Sequence, residues 1–344
     1  VWLARAALRG QDWPTLLAVI DKMSADGRRD PAWVYWRARA LGATGKAELG
    51  EATLKTIAGQ HHFYGQLAAE DLGQLTTVPG TSPNAPDDND IAAFDQNAGF
   101  ARAVALYELG LRFEGNREWN WQLRGLNDRQ LLAAAQMACK AADWQLCINT
   151  SERTKEVIDV RQRYPMPWSA EIAARAQERG LDPSLVFGLI RQETRFMHQL
   201  RSSAGASGLM QLMPATARWT AKRAGIEWRS DLITDRDVNL RLGMTYLKLL
   251  VDDFGGSAVL ATAAYNAGPG RPRRWREGGK LEPAAWIESI PFSETRDYVK
   301  KVISNSLVYS VVLGAQVAPL LKSRLGAAIG PRDPATPAGN TDLP

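Results

Sequence analysis

Three observations predict an all-α chain. Apolar residues recur at three- and four-residue spacing along most of the 344 positions, Gly, Pro and Asp interrupt those runs at short intervals, and strand-like alternation is almost absent. The hydrophobic share of 45% fits a globular core, and no run approaches the ~20 apolar residues of a membrane span. The chain opens at Val1 inside a helical pattern, without a starting Met or a basic and then apolar leader. It reads as a piece of something longer.

Residues 1–90 read as short helices in pairs, Trp2 to Leu8, Thr15 to Met23, Ala32 to Leu41, Ala47 to Ala58 and Phe63 to Leu72. Helices this short gain stability only by stacking, so the segment is predicted to be part of an α-superhelix. The stretch from Ala32 to Gly42 resembles a tetratricopeptide-like helix pair, with a repeat too degenerate to fix a period. Trp33, Trp36 and Tyr64 are expected to fill grooves between helices, and His61-His62 to form a turn. A polar Pro- and Asp-rich loop from Val78 to Asp90 closes the segment.

A small helical domain is predicted over 91–163, with helices Ile91 to Leu111, Arg117 to Leu123, Asp128 to Ala141 and Trp144 to Thr150. Cys139 and Cys147 flank Asp143, where one helix ends and another begins. Facing across that hairpin they form a disulfide in an oxidising compartment; the alternative is two small buried thiols.

Pro165 and Pro167 hold the chain extended at the start of the third segment, 164–320. A helix from Ser169 to Arg179 ends at Gly180; Asp182 and Pro183 then suit the cap and first turn of a helix running through Glu193. Its apolar stripe is Leu185, Val186, Leu189 and Ile190, and Glu193 continues it. A carboxyl group on a buried face has a raised pKa, as a general acid near neutral pH requires. Arg191 and Arg195 sit two residues away, the wrong helical spacing for pairing with it. Gly205 and Gly208 next allow a tight loop whose main chain a ligand can approach, and Pro214 opens another helix. Further helices are predicted at Asp237 to Asp253, Ser257 to Asn266, Trp286 to Ile290 and Ser293 to Leu313. From Leu321 to Pro344 the Pro, Gly, Ala and Asp content predicts a disordered tail.

The net charge of +5 is unevenly spread. Residues 1–160 hold 17 basic against 20 acidic side chains, whereas 161–320 hold 22 against 15. A basic cleft around Glu193 would concentrate anionic ligands. The run Arg271-Pro272-Arg273-Arg274-Trp275-Arg276 could meet phosphates but reads better as a solvated rim, so nucleic acid is not predicted. Two Cys and three His, His61, His62 and His198, make no metal-ligand spacing.

Four blocks in order carry a family resemblance. They are Glu193-Thr194-Arg195-Phe196; Ser202 with Gly205-Ala206-Ser207-Gly208-Leu209-Met210-Gln211-Leu212-Met213-Pro214; Ala263-Ala264-Tyr265-Asn266-Ala267-Gly268-Pro269-Gly270; and Glu288 through Val299. Together they resemble the soluble lytic murein transglycosylases, whose catalytic domain has the goose-type lysozyme fold. The match is specific from about Tyr164 to Val311 and only architectural upstream. It departs from the family at Thr194, where Ser is usual, and at Met197-His198, where a Pro is usual, which leaves that loop less constrained.

The resemblance implies a partial N-terminal superhelix, a linker domain and a lysozyme-like catalytic domain. It implies cleavage of the β-1,4 bond between N-acetylmuramic acid and N-acetylglucosamine with a 1,6-anhydro product, Glu193 acting as acid and then base. Ser202, Gln211, Met213, Tyr265, Asn266 and Glu294 would surround the sugars. Glu294 is the one motif carboxylate that could activate water instead, which would make a lysozyme-type hydrolase; a non-catalytic binding module is the third reading. The resemblance also implies peptidoglycan strands and stem peptides as ligands, cell-wall proteins as further partners, a monomer, a bacterial periplasmic location and no cofactor.

Overall fold

The computed structural model of the protein describes residues 1–75, 85–315, 320–335 and 339–344, without the side chain at 95. Among them no β-strand occurs, only isolated bridges. In chain order the helices are α1 (Trp2–Arg9), α2 (Trp13–Asp21), α3 (Ala25–Arg29), α4 (Pro31–Ala43), α5 (Ala47–Lys55), α6 (Phe63–Asp71), α7 (Asp88–Asp95), α8 (Ala98–Glu108), α9 (Arg112–Gln122), α10 (Asp128–Lys140) and α11 (Trp144–Ser151). There follow α12 (Val160–Arg163), α13 (Ser169–Glu178), α14 (Pro183–Thr194), α15 (Pro214–Ala224), a 3-10 helix (Ser230–Thr234), α16 (Arg236–Asp253), α17 (Ala258–Ala267), α18 (Gly270–Trp275), α19 (Pro283–Glu288), α20 (Ser293–Val312) and α21 (Leu321–Leu325).

Two compact units divide the chain: Val1–Thr77 with Ala170–Glu193 and Gln199–Pro344, and Val78–Ser169 with Thr194–His198. In the first, Trp36 and Tyr64 are buried as groove fillers, and the Trp36 indole donates 3.3 Å to the Tyr64 hydroxyl. His62 caps α6 by accepting from the Gly65 amide.

The N-terminal helices are fastened to α19 and α20 of the same unit through the fully buried Glu288. Arg5 donates to its Oε1 at 2.8 Å, and Tyr64 and Lys300 donate to Oε2 at 2.6 and 3.3 Å. Burial alone would raise this carboxyl, but Lys300, the Tyr64 hydrogen bond and Arg5 outweigh it and hold the pKa below the ordinary range. An ionised group so enclosed is tolerable only because every oxygen is matched.

In the second unit the helix expected from Ile91 to Leu111 is two helices. Asn97 accepts from the Gly99 and Phe100 amides at 2.8 and 3.2 Å and starts α8 afresh. Asp87 and Asp90 form a reciprocal capping box that begins α7 inside the predicted loop, of which residues 78–84 lie outside those described. Cys139 and Cys147 form a disulfide between α10 and α11.

The expected disordered tail is corrected by its described residues. Leu321, Leu325, Ile329 and Leu343 are buried on the first unit, Ile329 pairs with Leu281, and Tyr246 donates 2.9 Å to the Pro344 carbonyl. Averaged composition concealed a few spaced apolar residues, each large enough to anchor its neighbours.

Candidate active site

Glu193 lies in the last turn of α14, whose Val186, Phe187, Leu189 and Ile190 are fully buried. Asp182 accepts from the Ser184 amide at 2.8 Å and from its hydroxyl at 2.7 Å, fixing the start of the helix. At Gly188 α14 presses on α20 so closely that a Cβ would come within 2.8 Å of the Val302 carbonyl oxygen. That close approach brings the end of one helix to the start of the other.

Across this contact the Tyr298 hydroxyl of α20 donates 2.5 Å to Glu193 Oε1. Glu193 is half-buried. Loss of solvent raises its pKa, the Tyr298 hydrogen bond opposes that rise, and the charge of Glu294 adds to it, for a result of about 7. The carboxyl is thus poised between its acid and base forms near neutral pH. Beyond it the backbone turns sharply: Arg195 and Phe196 have φ of 49° and 66°, left-handed values uncommon for residues other than glycine.

The glycine-rich loop is built around its own hydrogen bonds. Ser202 Oγ accepts from the Ala206 amide at 3.0 Å, and Gln211 Nε2 donates to the Leu200 and Gly208 carbonyls at 3.1 and 2.9 Å. Both side chains therefore shape the loop first. Buried Asn239 of α16 clamps it from beneath, accepting from the Met210 amide at 2.7 Å and donating to the Ser207 and Ile233 carbonyls. Gly208, at φ 80°, leaves room for that clamp, since a Cβ there would collide with the Asn239 side chain.

Tyr265 donates 2.8 Å to the Met210 carbonyl and so ties α17 to the loop. Burial, Glu193 and Tyr246 all raise its pKa well above the ordinary value. Asn266 accepts 2.6 Å from the Thr295 hydroxyl, while Met213 and Glu294 are exposed. Glu193, Tyr265, Tyr298 and Glu294 thus form one electrostatic group; Ser202, Gln211 and Met213 belong to the loop that Tyr265 holds.

Sequence reasoning missed Tyr298 and Asn239. Tyr298 stood inside a matched block, four residues after Glu294, and its helical spacing was the available signal. Asn239 carried no signal, because a lone Asn early in an amphipathic helix usually faces water. No group of His, Cys, Asp and Glu fit to hold a metal ion occurs among the described residues, nor does a helix long and apolar enough to cross a membrane.

Residues 170–285 match the transglycosylase SLT domain, 289–317 the soluble lytic transglycosylase helical domain and 93–156 the soluble lytic murein transglycosylase L domain. Soluble lytic murein transglycosylase of Escherichia coli K12 is 29% identical over 314 residues, covering 90% of this chain and 48% of the relative. That of Salmonella typhimurium is 29% identical over 318 residues, 91% of this chain and 49% of the relative. The chain spans about half the length of the curated relatives it matches. Among solved structures, an inactive Glu-to-Gln mutant of lytic transglycosylase Slt from Pseudomonas aeruginosa superposes with a TM-score of 0.81 at 35% identity, covering 92% of this chain and 52% of that one. The 70 kDa soluble lytic transglycosylase of Escherichia coli also gives 0.81, at 27% identity, 95% of this chain and 53% of that one. With its α-helical architecture, its glycine-rich loop beside Glu193 and these matches, the chain belongs to the soluble lytic murein transglycosylase family.

Proposed function

We propose that this chain cleaves the β-1,4 bond between N-acetylmuramic acid and N-acetylglucosamine in peptidoglycan without consuming water. The observation that carries the reading is Glu193, a half-buried carboxyl poised near pH 7 and oriented by Tyr298. In the first step Glu193 gives its proton to the glycosidic oxygen as the bond to the muramyl C1 breaks. In the second, the resulting carboxylate removes the proton of the C6 hydroxyl as that oxygen attacks C1. The product ends in a 1,6-anhydro ring and Glu193 regains its proton.

Ordinary glycosidases place a second carboxylate at the cationic centre. Here the substrate's own acetamido group fills that role. Met213 and Glu294, exposed beside the loop and the carboxyl, contact sugar or peptide; Tyr265, Asn266, Ser202 and Gln211 hold the wall of the cleft. Work on peptidoglycan as a monomer in the periplasm of a Gram-negative bacterium follows from the same reading. That a relative is inactive as a Glu-to-Gln mutant supports a single decisive glutamate.

One observation favours a hydrolase instead: the charge of Glu294 is near enough to raise the pKa of Glu193. Mass spectrometry of muropeptides released from purified peptidoglycan by this chain and by Glu193→Gln separates the readings. Products one water lighter than hydrolytic ones, lost in the variant, support the transglycosylase. Reducing-end products point to the hydrolase, and undiminished release by the variant removes Glu193 from the mechanism.

A further inference from the structure

The second unit carries a ladder of rings and guanidinium groups along α9. Gly115 and Trp119 line the inner face of this helix, Gly115 against the Tyr107 ring, while Trp119 and Leu123, just past the helix end, pack in a core with Phe100, Ala103 and Ala138. The Trp119 indole is satisfied by Thr150 at 2.9 Å. The outer face repeats at four-residue spacing as Phe113, Arg117 and Trp121, with Arg124 three residues further. The Arg117 guanidinium lies 5.9 Å from the Phe113 ring centroid, and that of Arg124 lies 4.1 Å from Trp121.

These rings remain open to solvent. Phe113 is 69% exposed and Trp121 60% exposed even with Arg124 stacked on it. Trp121, though not Phe113, lines a cleft of about 600 Å³ whose wall also includes Leu106 of α8 with Glu114, Arg117 and Arg124. Its polar groups are pre-set: Glu118 is held by Arg102 and Gln122, each at 2.9 Å, and Asn120 accepts from Arg153. None of these groups belongs to the Glu193 site.

Two flat aromatic rings separated by eight residues of helix stand on the order of 12 Å apart along its axis. That is the reach of a disaccharide rather than of a single ring. Pyranose rings offer apolar C–H faces for stacking and a periphery of hydroxyl and acetamido groups for guanidinium, carboxylate and amide partners. The volume of the cleft falls within the range of small-ligand sites. The two arginines of the wall are balanced by Glu114 and Glu118, so the cleft offers paired donors and acceptors suited to the uncharged hydroxyl and acetamido groups of a glycan.

We propose that this face of α9 is a second binding platform for the glycan strand of peptidoglycan. The proposal rests on the reading of the Glu193 site, which makes the substrate a polymer. A polymer presents the same disaccharide repeatedly, so a face that holds one repeat retains the strand.

Co-sedimentation with insoluble glycan strands stripped of stem peptides tests the platform, using the Glu193→Gln chain to prevent turnover. Adding Trp121→Ala and Phe113→Ala is expected to weaken binding roughly tenfold, the loss of two aromatic stacks. Trp121→Phe, which keeps a ring, should retain most of it, and circular dichroism checks the fold. Equal binding with and without the two rings overturns the proposal, as does binding to intact peptidoglycan but not to stripped strands. If the native chain released no muropeptides while ring-dependent binding persisted, the cleavage reading would fall and the platform would stand.

Discussion

The Tyr298 hydroxyl reaches Glu193 Oε1 at 2.5 Å from a helix that begins a hundred residues later in the chain. A donor at that distance favours the carboxylate, and burial favours the acid. The balance near pH 7 is a property of both residues.

Tyr298→Phe removes the donor and leaves burial in place. A hydrogen bond to a charged group is worth about 1.5–3 kcal/mol, or about one to two pKa units. The pKa of Glu193 should therefore rise, moving the alkaline limb of the pH–rate profile of muropeptide release upward by about that amount while the maximal rate falls. An unmoved limb would remove Tyr298 from the tuning of the acid.

Glu193 should also cost stability at high pH. Its folded pKa of about 7 lies above the value of 4.5 expected in the unfolded chain, so between these limits the folded state binds the extra proton. Stability from this group is present below about pH 4.5 and is lost as pH rises through 7. Glu193→Gln escapes that loss and should be more stable than the native chain by about 2–3 kcal/mol at pH 8 and nearly equal at pH 4.5. Urea unfolding at both pH values checks the difference.

Gly208→Ala places a methyl group against the Asn239 clamp at a φ of 80°. The loop must open or the clamp must leave Met210 and Ser207 unsatisfied, at about 1–3 kcal/mol for each buried group. Activity should fall steeply, and Asn239→Ala should produce a similar loss without the collision. Muropeptide release and thermal unfolding, measured together, distinguish a displaced loop from a collapsed fold.

Replacing Cys139 and Cys147 together by Ser opens the short loop between α10 and α11. Closing a loop of this size stabilises by about 2–3 kcal/mol. The double variant should unfold earlier by that amount, and reducing agent should shift the native chain but leave the variant unchanged. Equal unfolding of the two proteins under oxidising conditions would contradict this.

Local information in the sequence determined the helices, their caps and the position of one unusual carboxyl. The stripe of Leu185, Val186, Leu189 and Ile190 extends to Glu193 by helical periodicity alone, and Asp182-Pro183 starts that helix as its chemistry requires. Four ordered blocks were enough to indicate the family. Propensity blurred the shorter features: Asn97 divided a helix that looked continuous, and Leu321, Leu325 and Ile329 ordered a stretch whose composition suggested disorder.

Tertiary structure alone decided what surrounds the carboxyl. Tyr298, Asn239 and the Arg5–Glu288 contact bring together residues far apart in the chain. Their value depends on buried distances of a few ångströms, because the strength of a hydrogen bond and the cost of desolvating a charge are set by the folded environment. A linear pattern records which face of a helix a residue occupies; the packing of α14 on α20 at Gly188 determines what that face meets.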